Sequence, residues 1–323
     1  GKVWAHLRTP WKVGPGSFAA GSLVYMPIED FLAGKREFVP AFEPKDGVTL
    51  QAFDVTQHYV LLDLLDRVKG RVLQGHKNYG KFAFKDVPLP PASSVSVSAV
   101  DYNGTEDYWL TVNGFLQPTT LTLVHPRYFQ FEKVKALPAF FDAKGLAVTQ
   151  LEATSKDGTK VPYFVVAREG QKNDGTNPTI LYGYGGFEIA LTPAYNATIG
   201  AAWLERGGTY VLANIRGGGE FGPEWHLTAM REGRQKAYDD FIAVAEDLIK
   251  RGITSAPRLG IYGGSQGGLL VGGTVVQRPE LFGAAVAAVP LFDMKRYHKL
   301  LAGASWMGEY GDPDKPEDWK TLQ

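Results

Sequence analysis

The sequence predicts an α/β chain: a parallel-rich, doubly wound sheet over residues 139–323, preceded by an all-β segment over residues 1–138. Three observations predict it. Glycine is unevenly placed, with 11 in residues 1–138 and 27 in residues 139–323. Short β-type runs fill the first part with no helical periodicity of comparable strength. From Thr179 onward, strands and helices alternate, the pattern of successive right-handed crossovers and a sheet covered on both faces.

In order, Ser22–Ile28, His58–Leu62, Val95–Val100 and Thr119–Val124 read as strands, and the turn-forming pairs Asp46-Gly47 and Asn103-Gly104 separate some of them. Such spacing suits a sandwich, a barrel or propeller blades, and sequence physics leaves these three open. The boundary is expected near Leu137-Pro138. Beyond it, Thr179–Tyr182 is expected as a strand, Tyr195–Arg206 as a helix and Thr209–Ala213 as a strand. A helix follows over Lys236–Arg251, where Phe241, Val244, Ala245, Leu248 and Ile249 form one apolar stripe and Gly252 supplies the stop. Arg258–Tyr262 is a strand, Gln266–Gln277 a helix and Gly283–Val289 a buried strand.

Composition excludes several function classes. The chain has 323 residues, 44% of them apolar, which suits packed cores and not disorder. With 34 basic and 34 acidic residues the formal charge is zero, so no field draws it to nucleic acid or anionic lipid. Cysteine is absent, which removes disulfides, thiolate metal sites and a cysteine nucleophile. The six histidines are never closer than 18 positions, so none forms the short-spaced pair of a helical metal site, and neither metal nor cofactor is expected. No apolar run approaches a membrane span. Gly1 is not an initiator methionine and Gln323 ends an unpunctuated stretch, so both ends are expected to be cuts in a longer gene. A cytoplasmic location is expected, with the periplasm as the alternative.

Gly263-Gly264-Ser265-Gln266-Gly267 fits G-x-S-x-G and lies between an expected strand and an expected helix. Small flanking residues permit the sharp turn that lifts a serine hydroxyl above the sheet, and the following helix directs amides toward developing negative charge. Ser265 is therefore the candidate nucleophile. Gly217-Gly218-Gly219-Glu220-Phe221-Gly222 formally matches a dinucleotide fingerprint, but Pro223 and an irregular stretch stand where the helix should open. A serine hydrolase on this fold needs an acid and then a histidine after the nucleophile. His298 is the one histidine downstream and suits packing better, as does His226 upstream, so the catalytic Asp and His are expected beyond Gln323. Arg216, Glu220 and Asp239 are expected to form a structural charge network.

The second part resembles the prolyl oligopeptidase family of serine peptidases. The resemblance rests on Leu181–Phe187, Ala213–Gly222, Gly263–Val271 and Gln277–Gly283, with Asp157-Gly158-Thr159 at the family's start of the hydrolase domain. It implies an α/β-hydrolase domain capped by a seven-bladed β-propeller, of which residues 1–138 would be about three blades and residues 139–323 a truncated catalytic domain. It implies cleavage of short peptides after proline. Ser265 matches the nucleophile, the backbone N–H of Gln266 one oxyanion donor and the Tyr184 hydroxyl the second. Trp306, Phe187 and Tyr310 match the lining of the proline pocket, with Trp306 stacking on the ring. Gln266 replaces the usual Asn, and Pro290-Leu291 replaces Gly and Val, which puts Leu291 on the pocket rim.

The expected function is thus a serine oligopeptidase acting through an acyl-enzyme on Ser265. Its partners would be short peptides, with no nucleic acid or membrane, and a monomer is expected. Residues 1–323 alone would be inactive for want of acid and base. The alternatives are an acylaminoacyl peptidase, a basic-residue oligopeptidase or an esterase on the same fold, or a propeller and hydrolase scaffold that only binds.

Overall fold

The short apolar runs of the first part fold as antiparallel sheets. In a computed structural model, which describes residues 1–78 and 81–323, the chain divides into two units. The first comprises Gly1–Ala139, Thr192–Tyr195 and Glu220–Glu224; the second comprises Phe140–Leu191, Asn196–Gly219 and Trp225–Gln323.

Two four-stranded meanders dominate the first unit. One runs Val48–Val55, Tyr59–Asp66, Lys69–Asn78 and Lys81–Val87; the other runs Ser93–Ala99, Tyr108–Gly114, Thr120–His125 and Gln130–Ala136. A three-stranded sheet of Lys2–His6, Leu23–Pro27 and Val39–Phe42 precedes them. Successive residues of a strand point to opposite faces, and strand Tyr59–Asp66 uses both. Val60, Leu62 and Leu64 join Leu23 and Leu50 in one core, while Leu61 joins Val72, Tyr108, Leu110 and Val124 in another. Sheets with both faces buried in this way stack as blades.

Two sequence expectations change here. Strand Tyr59–Asp66 runs past Leu62 through Asp63, a polar residue that interrupts the apolar run yet is 7% exposed, with burial pushing its carboxyl up to about 7. Residues Leu23–Pro27 end the strand expected to reach Ile28, and a short helix Ile28–Leu32 begins there.

The second unit is built on a six-stranded sheet. The spatial order is Leu146–Thr154, Lys160–Arg168, Thr209–Ala213, Thr179–Tyr182, Leu259–Gly264 and Ala284–Ala288. The last four strands run parallel, whereas Lys160–Arg168 is antiparallel to both its neighbours. The sheet is therefore mixed, and the antiparallel hairpin at its start was not among the expected strands. Helix Gln235–Lys250 buries Phe241, Val244, Ala245 and Leu248 in the common core with Leu181, Val211 and Ile261. Helix Gln266–Gln277 buries Leu270 and Val271 in the same core.

The helix expected over Tyr195–Arg206 is much shorter. Asn196 caps it by accepting the Ile199 N–H at 3.0 Å, one α turn follows over Ala197–Ile199, and the chain widens into a π turn over Gly200–Leu204. Tyr195 donates its N–H to Asn113 Oδ1 at 2.8 Å and groups with the first unit. A side-chain cap one residue before Ala197 fixes the start later than apolar periodicity suggests. Among the described residues no helix is long and apolar enough to cross a membrane.

Candidate active site

Ser265 stands where the strand Leu259–Gly264 turns into the helix Gln266–Gln277. Its φ of 57° and ψ of −119° are rarely adopted by L residues, and its side chain is exposed. The turn is closed by the Ser265 N–H donating to Ala288 O at 2.9 Å and by Ser265 O accepting from Gly268 N at 2.9 Å. Glycine is required at position 263, because a Cβ there would strike the Gly267 carbonyl. This is the strained strand-to-helix turn that the G-x-S-x-G spacing predicts.

The Tyr184 phenol lies beside Ser265. Burial pushes this phenol above its ordinary value, and the neighbouring Ser265 opposes the rise without cancelling it. Tyr184 is therefore a neutral donor at neutral pH, suited to a developing oxyanion. Gln266 is fully buried at the first position of its helix. Its Nε2 donates to Tyr184 O at 3.4 Å and Gly185 O at 3.3 Å, and its Oε1 accepts from the Tyr310 hydroxyl.

The four residues expected to line a pocket fall in one cluster. Phe187, Leu291 and Trp306, all partly exposed, pack against buried Leu269, Tyr297 and Tyr310. Tyr310 is 2% exposed and meets Phe187 edge-on, with ring centroids 5.7 Å apart at 87°. Phe187, Leu291 and Trp306 thus offer surface, and Tyr310 stands behind them.

Neither histidine of this unit meets Ser265. His226 Nε2 lies 2.7 Å from Glu309 and Nδ1 3.5 Å from Glu188, while His298 Nε2 lies 3.0 Å from Asp314. Burial pulls the His226 imidazole down, but hydrogen bonds and charges from Glu188 and Glu309 outweigh it and push it up to about 9. His298, Asp312 and Asp314 bring possible metal-ligand atoms within 4.8 Å of one another among the described residues. The Lys299 ammonium, 3.0 Å from Asp314, already neutralises that corner.

The charge network near the glycine turns differs from the one expected. Arg216 donates to Asp240 through its backbone N, Nε and Nη2 at 2.9, 3.0 and 2.7 Å, and to Asp157 through Nη1 at 2.6 Å. Asp240 is fully buried because it shares the inward face of its helix with Ala237, Phe241 and Val244. Asp239, one residue earlier, instead accepts from Gln235 Nε2 at 2.9 Å on the outer side, and Glu220 groups with the first unit. The glycine run also has a packing role. Gly217 has φ 97°, and a Cβ on it would meet the Gly185 carbonyl, so two loops touch backbone to backbone there. The helix that follows, Pro223–Leu227, has five residues, too short for a dinucleotide site.

Sequence reasoning missed Glu309, Arg234 and His226 as a group. Glu309 precedes Tyr310, but nothing local marks it as buried among residues 75 and 83 positions away.

Residues 195–323 match the model of the prolyl oligopeptidase family. An uncharacterized peptidase of Sinorhizobium fredii is 45% identical over 326 residues, covering 100% of this chain and 45% of that protein. A prolyl endopeptidase of Elizabethkingia meningoseptica is 38% identical over 260 residues, covering 79% of this chain and 35% of that protein. Among solved structures, a post-proline cleaving enzyme from Rickettsia typhi superposes with a TM-score of 0.90 at 40% identity, over 99% of this chain and 47% of its own. The chain therefore spans about half the length of the relatives it matches. Its architecture is that of an α/β-hydrolase domain preceded in sequence by propeller blades. The chain carries a prolyl oligopeptidase family domain.

Proposed function

We propose that the protein is a serine peptidase that cleaves short peptides on the carboxyl side of proline, through an acyl-enzyme on Ser265. The observation that carries this reading is an exposed serine held at positive φ on a strand-to-helix turn, with the Tyr184 phenol beside it. A general base takes the Ser265 proton, and Oγ attacks the carbonyl carbon of the substrate proline. The resulting oxyanion accepts hydrogen bonds from Tyr184 and from the Gln266 backbone N–H. Collapse breaks the peptide bond, the leaving amine takes the proton from the base, and water then hydrolyses the ester. Trp306, Phe187 and Leu291 supply a flat apolar wall for a rigid ring that offers no N–H. In this reading the base and its orienting acid lie beyond Gln323, because among the described residues neither His226 nor His298 is hydrogen-bonded to Ser265. Family relatives named as prolyl endopeptidases support the substrate class.

The test is a serine-directed fluorophosphonate probe together with matched peptides bearing Pro or Arg at the cleavage site and a simple ester. Labelling and proline-selective cleavage by the full-length protein, both lost in Ser265→Ala, are expected. Equal turnover of the three substrates would point to a same-fold hydrolase of other specificity, and an unlabelled Ser265 to a binding scaffold. Vigorous Ser265-dependent hydrolysis by residues 1–323 alone would overturn the placement of the base.

A further inference from the structure

The backbone that carries Tyr184 and Phe187 is held by charges to which the peptidase reading assigns no role. Phe187 and Glu188 both sit at positive φ, 55° and 56°, a conformation that side-chain-bearing residues keep only where surrounding contacts over-determine it. The Glu188 N–H donates to Gly217 O at 3.1 Å, and Glu309 supplies the contact at Phe187. It is 5% exposed, its Oε1 accepts from the Phe187 N–H at 3.2 Å and from Arg234 Nη2, and its Oε2 lies 2.7 Å from His226 Nε2. Arg234 reaches on through Nη1 to the Gly185 carbonyl at 2.6 Å. The segment 185–187 is thus gripped at one carbonyl and one amide by a single buried ion pair. From the other side, Gln266 Nε2 holds the Tyr184 and Gly185 carbonyls.

We propose that Glu309 is a positioning residue: with Arg234 and His226 it fixes the segment 184–188, and so sets both where the Tyr184 hydroxyl meets Ser265 and where the Phe187 ring stands. This rests on the peptidase reading for its kinetic consequence, though not for its structural one. A neutral amide at position 309 retains an acceptor for the Phe187 N–H but loses the charge that holds Arg234 and His226. Small displacements of catalytic groups are costly, about 10- to 100-fold in rate for shifts near 1 Å.

The experiment compares wild-type protein with Glu309→Gln in two ways. Amide hydrogen exchange over residues 184–188 is expected to quicken about tenfold in the variant, a local opening distinct from global unfolding. Turnover of a proline peptide, expressed per probe-labelled Ser265, is expected to fall about 10- to 100-fold. That loss shrinks to under about threefold when Tyr184→Phe is already present, because the two changes act on one interaction. Unchanged exchange overturns the proposal, as does unchanged turnover per labelled serine. A wild-type protein that neither cleaves nor takes the probe sinks the peptidase reading, and the exchange measurement still decides whether Glu309 holds the segment. If Glu309→Gln does not fold, His226→Gln leaves the Phe187 and Arg234 bonds in place, and a smaller change in the same direction is expected.

Discussion

In the proposed reaction, Tyr184 separates binding from chemistry. There a ground-state carbonyl gains little from the phenol, whereas the tetrahedral oxyanion gains a full hydrogen bond. Tyr184→Phe is therefore expected to lower kcat by roughly 10²–10³ while KM stays within about threefold, as for loss of other oxyanion donors; steady-state kinetics on a proline peptide check it, and an unchanged kcat removes Tyr184 from the reaction. The elbow at Ser265 was legible in the sequence because its geometry is local: glycines and a strand-to-helix junction are all that it needs. Asp240 was misread as Asp239 for the opposite reason. Which of two adjacent carboxylates faces inward depends on the helix phase, and only the packing of Ala237 and Phe241 settles that.

At the level of elements, helix Gln235–Lys250 is locked to the glycine-turn segment by the buried pair of Asp240 and Arg216. Burial opposes the charge on Arg216, but bonds to Asp240 and Asp157 outweigh it and hold the guanidinium firmly protonated. Asp240→Ala leaves that cation buried without its main partner and is expected to destabilise the second unit by about 3–5 kcal/mol, read from urea unfolding; a change below about 1 kcal/mol would show that water replaces the carboxylate. This helix was legible because an apolar stripe at i, i+3, i+4 and i+7 runs its whole length. Two other features were not. The hairpin joining Tyr59–Asp66 to Lys69–Asn78 turns on Arg67 and Val68, both at positive φ, with no glycine or asparagine to announce it. The antiparallel hairpin that opens the six-stranded sheet does carry a turn signal in Asp157-Gly158, but the alternation of strand and helix that predicts the sheet begins only at Thr179 and passes over it.

Across the whole chain, sequence physics left sandwich, barrel and propeller open for residues 1–138, because strand spacing is common to all three. Burial of both faces of one strand into two separate cores distinguishes stacked blades, and no single-strand pattern reports which core receives a given face. Stability of the second unit is tied to pH through His226. Its folded pKa of about 9 lies above the ordinary 6.5, so its contribution is complete below pH 6.5 and is lost as pH rises through 9, on the order of 1–3 kcal/mol. The urea midpoint is expected to decline between those values and to flatten over that range in His226→Gln; an equal decline in the variant would assign it to other groups. The torsion of Ser265 has a wider consequence. A residue at φ 57° and ψ −119° stores on the order of 1–3 kcal/mol that glycine would release. In the proposed reaction, fold and chemistry therefore pull in opposite directions at this position: drift toward glycine would yield a hardier protein with no nucleophile. Thermostability selection applied without an activity screen would be expected to erase the site first at its centre.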